Sequence, residues 1–124
     1  MYVKLNNNPR NNDHAGDCVI RAIAIATGES WSKIYAELCI EGFYYGDWGS
    51  NNAVWDGYLL SRGFKRCVCP NEYSCYTVED FAANNPTGSY IVATGSHAVA
   101  IVNENYYDTS DSGEETVLYY YVKE

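Results

Sequence analysis

The sequence is short of positive charge, of long apolar runs and of histidine. Eight Lys and Arg stand against sixteen Asp and Glu, a formal net charge of −8. Such a chain has little electrostatic grip on nucleic acid or on an anionic lipid surface, so neither nucleic acid nor a membrane is expected as a partner. The longest apolar run, Ala22 to Ala26 with Val19 and Ile20 ahead of Arg21, is far too short to span a bilayer. The opening stretch, MYVKLNNNPR, contains no apolar h-region, so no secretory signal is expected either. The five cysteines (Cys18, Cys39, Cys67, Cys69 and Cys75) are an odd set that cannot all pair. Without an export signal, free thiols in a reducing cytoplasm are the expectation.

What the sequence does have points to one packed domain over residues 1–124. The hydrophobic fraction is 47%, with 13 tyrosines and 3 tryptophans. Residues 1 to 16 read as an extended, Asn-rich lead-in. Asp17 is placed to cap a helix running to about Thr27 and stopping at Gly28. That helix is apolar nearly all round apart from Arg21, the pattern of a helix in the middle of a fold. Ser30 can cap a second helix, WSKIYAELCIEG, with GFYYGDWGSNN as the loop that follows. A third helix is expected from about Ala53 to Ser61, a short strand at FKRCVC, and a fourth helix, VEDFAAN, capped by Thr77. Beyond the NNPTG turn, the runs SYIVATG, HAVAIV, YYDTS and TVLYYYVK are β-branched or aromatic, with NEN as a hairpin turn. Helices first and a mostly antiparallel sheet second is an α+β fold.

A thiol at the first turn of a buried helix is the feature with chemical potential. Only the thiolate is a good nucleophile, and unpaired N–H groups at a helix start stabilise it. A neighbouring imidazolium lowers the thiol pKa further. Cys18 holds this position. Its base is expected to be His97, which opens the apolar strand HAVAIV. A third group should fix the imidazole tautomer. Asp108, just past the NEN turn, is the first candidate. Asp111 is the reserve, because one residue of hairpin slippage changes which aspartate faces His97.

Cysteine on a central helix, histidine on a strand and Asn or Asp on the next strand is the order of the papain-like cysteine peptidases. The DC pair at the helix start resembles the bacteriocin-leader-processing peptidases of that superfamily. HAVAIVNENYYDTSDSG is similar to their His strand and Asn/Asp strand. The set as a whole is most similar to small papain-like proteins common in phage genomes, with Ser96 where glycine usually precedes the histidine. The resemblance implies a papain-like fold and cleavage of a peptide or other amide bond in a peptide or protein substrate, without cofactor or metal. For a phage protein the setting is the host cytoplasm. In the family a glutamine six residues before the cysteine builds the oxyanion hole; that position here is Asn12, a shorter amide.

Each residue also has a plainer reading. Cys18 alone would be a buried structural thiol, His97 a satisfied strand histidine and Asp108 a turn-flanking carboxylate. His14, four residues before Cys18, competes as base, although a loop histidine is usually solvated and the family gives the position no role. Cys67, Cys69 and Cys75, with Cys39 as a fourth ligand, invite a zinc reading, but the spacing lacks paired C-x2-C knuckles. Trp48 and its glycine neighbours either line a substrate cleft or anchor a surface loop. Two further functions stay open beside hydrolysis. One is an idle papain-like fold that binds a host protein. The other is a thiol transferase or deamidase that uses the same triad.

Overall fold

The computed structural model describes residues 1–69 and 76–123. Its elements in chain order are β1 (Tyr2–Lys4), α1 (Cys18–Thr27), α2 (Trp31–Tyr45), α3 (Asn52–Ser61), β2 (Phe64–Val68), α4 (Val78–Asn84), β3 (Ser89–Ala93), β4 (Ala98–Val102), β5 (Asn105–Asp108) and β6 (Tyr119–Lys123). The strands form one six-stranded sheet in the order β1-β5-β4-β3-β6-β2. β1 runs parallel to β5 and the other neighbours pair antiparallel, so the fold is α+β with a mixed sheet. Among the described residues, no helix is long and apolar enough to cross a membrane.

Alternation along the central strands builds two cores. Ile91, Ala93, Ala98 and Ala100 face α1, α2 and α3, with Ile23, Ile34, Leu38 and Trp55 packed against them. Val92, Val99 and Ile101 face the other way, onto Val78 and Phe81 of α4. Both faces of β4 are therefore buried, which explains a continuous apolar run in place of a polar alternation. Ile23, Ile91 and Ile101 are completely buried, each worth about 1.5–3 kcal/mol of transfer free energy. On the α1 side the sheet presents small side chains (Ala93, Ala98, Ala100), and α1 packs directly on β4.

Most of the local signals act as their chemistry requires. Gly28 ends α1 with φ 72°, a left-handed conformation that costs glycine nothing. The Ser30 hydroxyl accepts from Lys33 N, and Thr77 and Asp80 form a reciprocal capping box. Asn103 and Glu104, with φ of 47° and 76°, make the tight hairpin turn between β4 and β5.

Two local expectations are corrected. The second helix does not end at Gly42; α2 continues through FYY to Tyr45 and is capped by Gly46. Gly42 serves close approach, because a Cβ there would collide with the Asp47 carbonyl oxygen of the returning loop. The lead-in is also more than a tail. Tyr2–Lys4 adds an edge strand against β5, a long-range pairing that leaves no periodic mark in three residues.

Candidate active site

The site lies where α1 begins, where β4 begins and where β5 ends. Cys18 is the first residue of α1 and is half-buried. His97 directly precedes β4, in a turn closed by Thr94 N donating to His97 O at 2.9 Å. Asp108 is the last residue of β5, with a side chain only 3% exposed. The two-residue turn pairs Val102 with Asn105 and Ala100 with Tyr107, and this register delivers Asp108 beside His97.

His97 Nε2 lies 2.5 Å from Asp108 Oδ2. Nδ1 is thereby the ring nitrogen left for the thiol. The Asp108 hydrogen bond, followed by the Cys18 interaction, raises the His97 pKa to about 10 against the opposing effect of burial. Burial pushes the Cys18 thiol up. The His97 interaction, the Ala98 backbone N–H and the charges of His97 and Arg21 outweigh it and bring the thiol below its ordinary value. For Asp108, burial raises the pKa, but bonds from His97, Ser112 Oγ and the Thr109 N–H bring it below the ordinary carboxylate value. All three shifts favour the same state, a thiolate beside an imidazolium held by a carboxylate.

The start of α1 is shaped for an anion. The helical ladder begins with Arg21 N donating to Asp17 O, so the N–H groups of Cys18, Val19 and Ile20 precede it. Asp17 does not cap these groups, contrary to the expectation from its position. Its φ of −110° and ψ of 22° are not the extended geometry of a capping residue. Its carboxylate is taken instead by Arg21, by Trp31 Nε1 at 2.9 Å and by Asn8 Nδ2 at 3.2 Å.

The remaining candidates lie elsewhere. Asp111 does not face His97; it is exposed and accepts from Tyr106 Oη at 2.7 Å and Gly113 N at 2.9 Å. His14 is exposed in the loop before α1. Asn12 is also exposed, and its Oδ1 accepts from His14 N at 2.9 Å. Cys18 and His97 share a cavity of about 290 Å³ with Asn52, Trp55, Thr94 and Tyr119. Asn12 lines a neighbouring cavity of about 370 Å³, with Trp31, Tyr35 and Trp48. The two cavities meet at Gly16 and Ser50. Trp48 thus lines a cleft next to the thiol while its side chain stays mostly open, the residue being 82% exposed.

Cys67 and Cys69 sit together at the end of β2, where burial and then the neighbouring Cys67 raise the Cys69 pKa. Cys75 lies outside the described residues. Among those described, no three His, Cys, Asp or Glu side chains gather as metal ligands. Four participants had no role in the sequence reading: Arg21, Ser112 and the Thr109 and Ala98 N–H groups. Only Arg21 left a usable signal, a lone charge in an apolar helix four residues after an aspartate. Comparison of the chain with protein-family models, with curated proteins and with solved structures gives no match.

Proposed function

We propose that the protein is a papain-like thiol hydrolase that cleaves a peptide or other amide bond. The observation that carries this reading is the run of contacts from Cys18 through His97 to Asp108, with the thiol pKa lowered and the imidazole pKa raised. In the reaction the Cys18 thiolate attacks the carbonyl carbon, and the oxyanion forms against the free N–H groups at the start of α1. The His97 imidazolium gives its proton to the leaving amine as the C–N bond breaks, which leaves a thioester on Cys18. A water molecule then attacks the thioester, His97 takes its proton, and the acid product departs as the thiolate re-forms. Asp108 holds the ring with Nδ1 toward the sulfur. The Asn12 amide supplies the oxyanion hole only by reaching across from the neighbouring cavity, so backbone donors carry that role here. The phage-accessory setting and the host cytoplasm belong to this same proposal.

A second reading keeps the fold as a protein-binding module without chemistry. It is favoured by the exposed Phe43, Tyr44, Tyr45 and Trp48 around the end of α2. Limited iodoacetamide treatment followed by peptide mapping separates the two, alongside a mixed peptide pool read for new termini by mass spectrometry. Hydrolase chemistry gives labelling concentrated at Cys18, and new termini that vanish in Cys18→Ala. Labelling led by Cys39, Cys67, Cys69 or Cys75, with no new termini, decides for the binding module.

A further inference from the structure

Arg21 is the only charged residue of α1, and its side chain is 9% exposed. The guanidinium bridges two carboxylates from different parts of the chain. Nη1 pairs with Asp17 Oδ1 one turn back on the helix, and Nη2 lies 3.5 Å from Asp108 Oδ1. Asp17 is itself fixed by Trp31 and Asn8, so the clamp has a rigid anchor. At the far end the Asp108 oxygens are divided. Oδ1 faces Arg21 and the Thr109 N–H at 2.7 Å, while Oδ2 faces Ser112 Oγ at 2.8 Å and His97 at 2.5 Å. The titratable groups around this network are Asp17 and Cys18 on or beside α1, His97 before β4, Asp108 on β5 and Tyr2 of β1. The Tyr2 hydroxyl donates to the Asp108 carbonyl at 3.2 Å.

A buried ion pair is weak evidence for stability, because well-packed apolar side chains of similar volume often do as well. The arrangement has a different use. We propose that Arg21 is a positioning residue for the Cys18 chemistry: tied to Asp17, it fixes which Asp108 oxygen meets His97 and keeps a positive charge one helical turn from the thiol. This inference rests on the thiol-hydrolase reading.

The test follows iodoacetamide alkylation of Cys18 against pH in the wild type and in Arg21→Met, Arg21→Lys and Asp17→Asn, with thermal melts in parallel. Removing a positive charge raises the pKa of every neighbouring acid. Arg21→Met is therefore expected to alkylate about tenfold more slowly at pH 6, with the gap closing to about twofold or less at pH 9.5. Arg21→Lys keeps the charge and loses the fork. Its alkylation midpoint stays near wild type, while the His97 imidazole proton resonance is expected to shift or broaden. Asp17→Asn removes a negative charge and moves the midpoint down. A residue with a merely structural role lowers the melting temperature but leaves the His97 resonance of folded Arg21→Lys at its wild-type position. A folded Arg21→Met with the wild-type midpoint overturns the proposal. If Arg21→Met does not fold, an unmoved midpoint in Asp17→Asn together with an unchanged resonance in Arg21→Lys overturns it. A wild-type midpoint at the ordinary thiol value overturns the hydrolase reading and the Arg21 role with it.

Discussion

Cys18 and Cys69 are both partly buried thiols, and their pKa values move in opposite directions. Burial alone pushes both upward. At Cys69 the neighbouring thiol Cys67 adds to that push. At Cys18 an imidazole, a backbone N–H and a guanidinium reverse it. Reactivity therefore follows from what faces the sulfur rather than from how deeply it lies. Three such partners meet at Cys18, His97 and the Ala98 N–H from the start of β4 and Arg21 from α1, whereas among the described residues nothing lowers the Cys69 pKa.

The strongest way to break this contrast is to remove His97. His97→Ala is expected to lower any amide-cleaving rate by about 10⁴-fold or more, as Cys18→Ala does, and the double variant is expected to be no worse than either single one. Asp108→Ala should fall between these and wild type, near a hundredfold loss, because the base remains but its ring is no longer held. Steady-state rates on the peptide pool order the four variants, and a double variant clearly worse than both singles would speak against a shared step.

A smaller effect sharpens the comparison without mutation. Because the Cys18 pKa is lowered, its thiolate persists on the acid side of the ordinary thiol range. Because the Cys69 pKa is raised, its thiolate appears only on the alkaline side. Alkylation mapped residue by residue from pH 5 to pH 10 is expected to find Cys18 modified first and Cys69 only at the alkaline end. The reverse order would remove the contrast altogether.

The smallest expected effect belongs to the other histidine. His14 is exposed, and its backbone N–H donates to Asn12, while among the described residues no carboxylate bonds to its ring. His14→Ala should keep cleavage and Cys18 alkylation within about twofold of wild type, since surface changes of this kind rarely exceed 0.5 kcal/mol. A large loss there would move the base from β4 to the loop.

Much of the fold was legible because its signals are local. Gly28, Ser30, Thr77 and the Asn103–Glu104 turn each act through their own backbone geometry, and the hairpin turn sets the register that separates Asp108 from Asp111. What escaped depends on groups distant in sequence. Asp17 has the composition of a cap, but Arg21, Trp31 and Asn8 compete for its oxygens. The β1–β5 pairing and the continuation of α2 past Gly42 both depend on contacts that no short window contains. The site was legible as residue types in order; the buried charge that links them through Arg21 was not.

The order of the elements also has a consequence for how the protein comes into being. Cys18 precedes His97, Asp108 and the strand that receives β1 by most of the helical half of the fold. During synthesis α1 leaves the ribosome long before β4 and β5 exist. Contacts of such high sequence separation close late, after the loop entropy between them has been overcome. Until then Cys18 lacks the His97 imidazole and the Asp108 carboxylate that holds it. The lowering of the Cys18 thiol pKa therefore belongs to the completed sheet and not to the nascent chain.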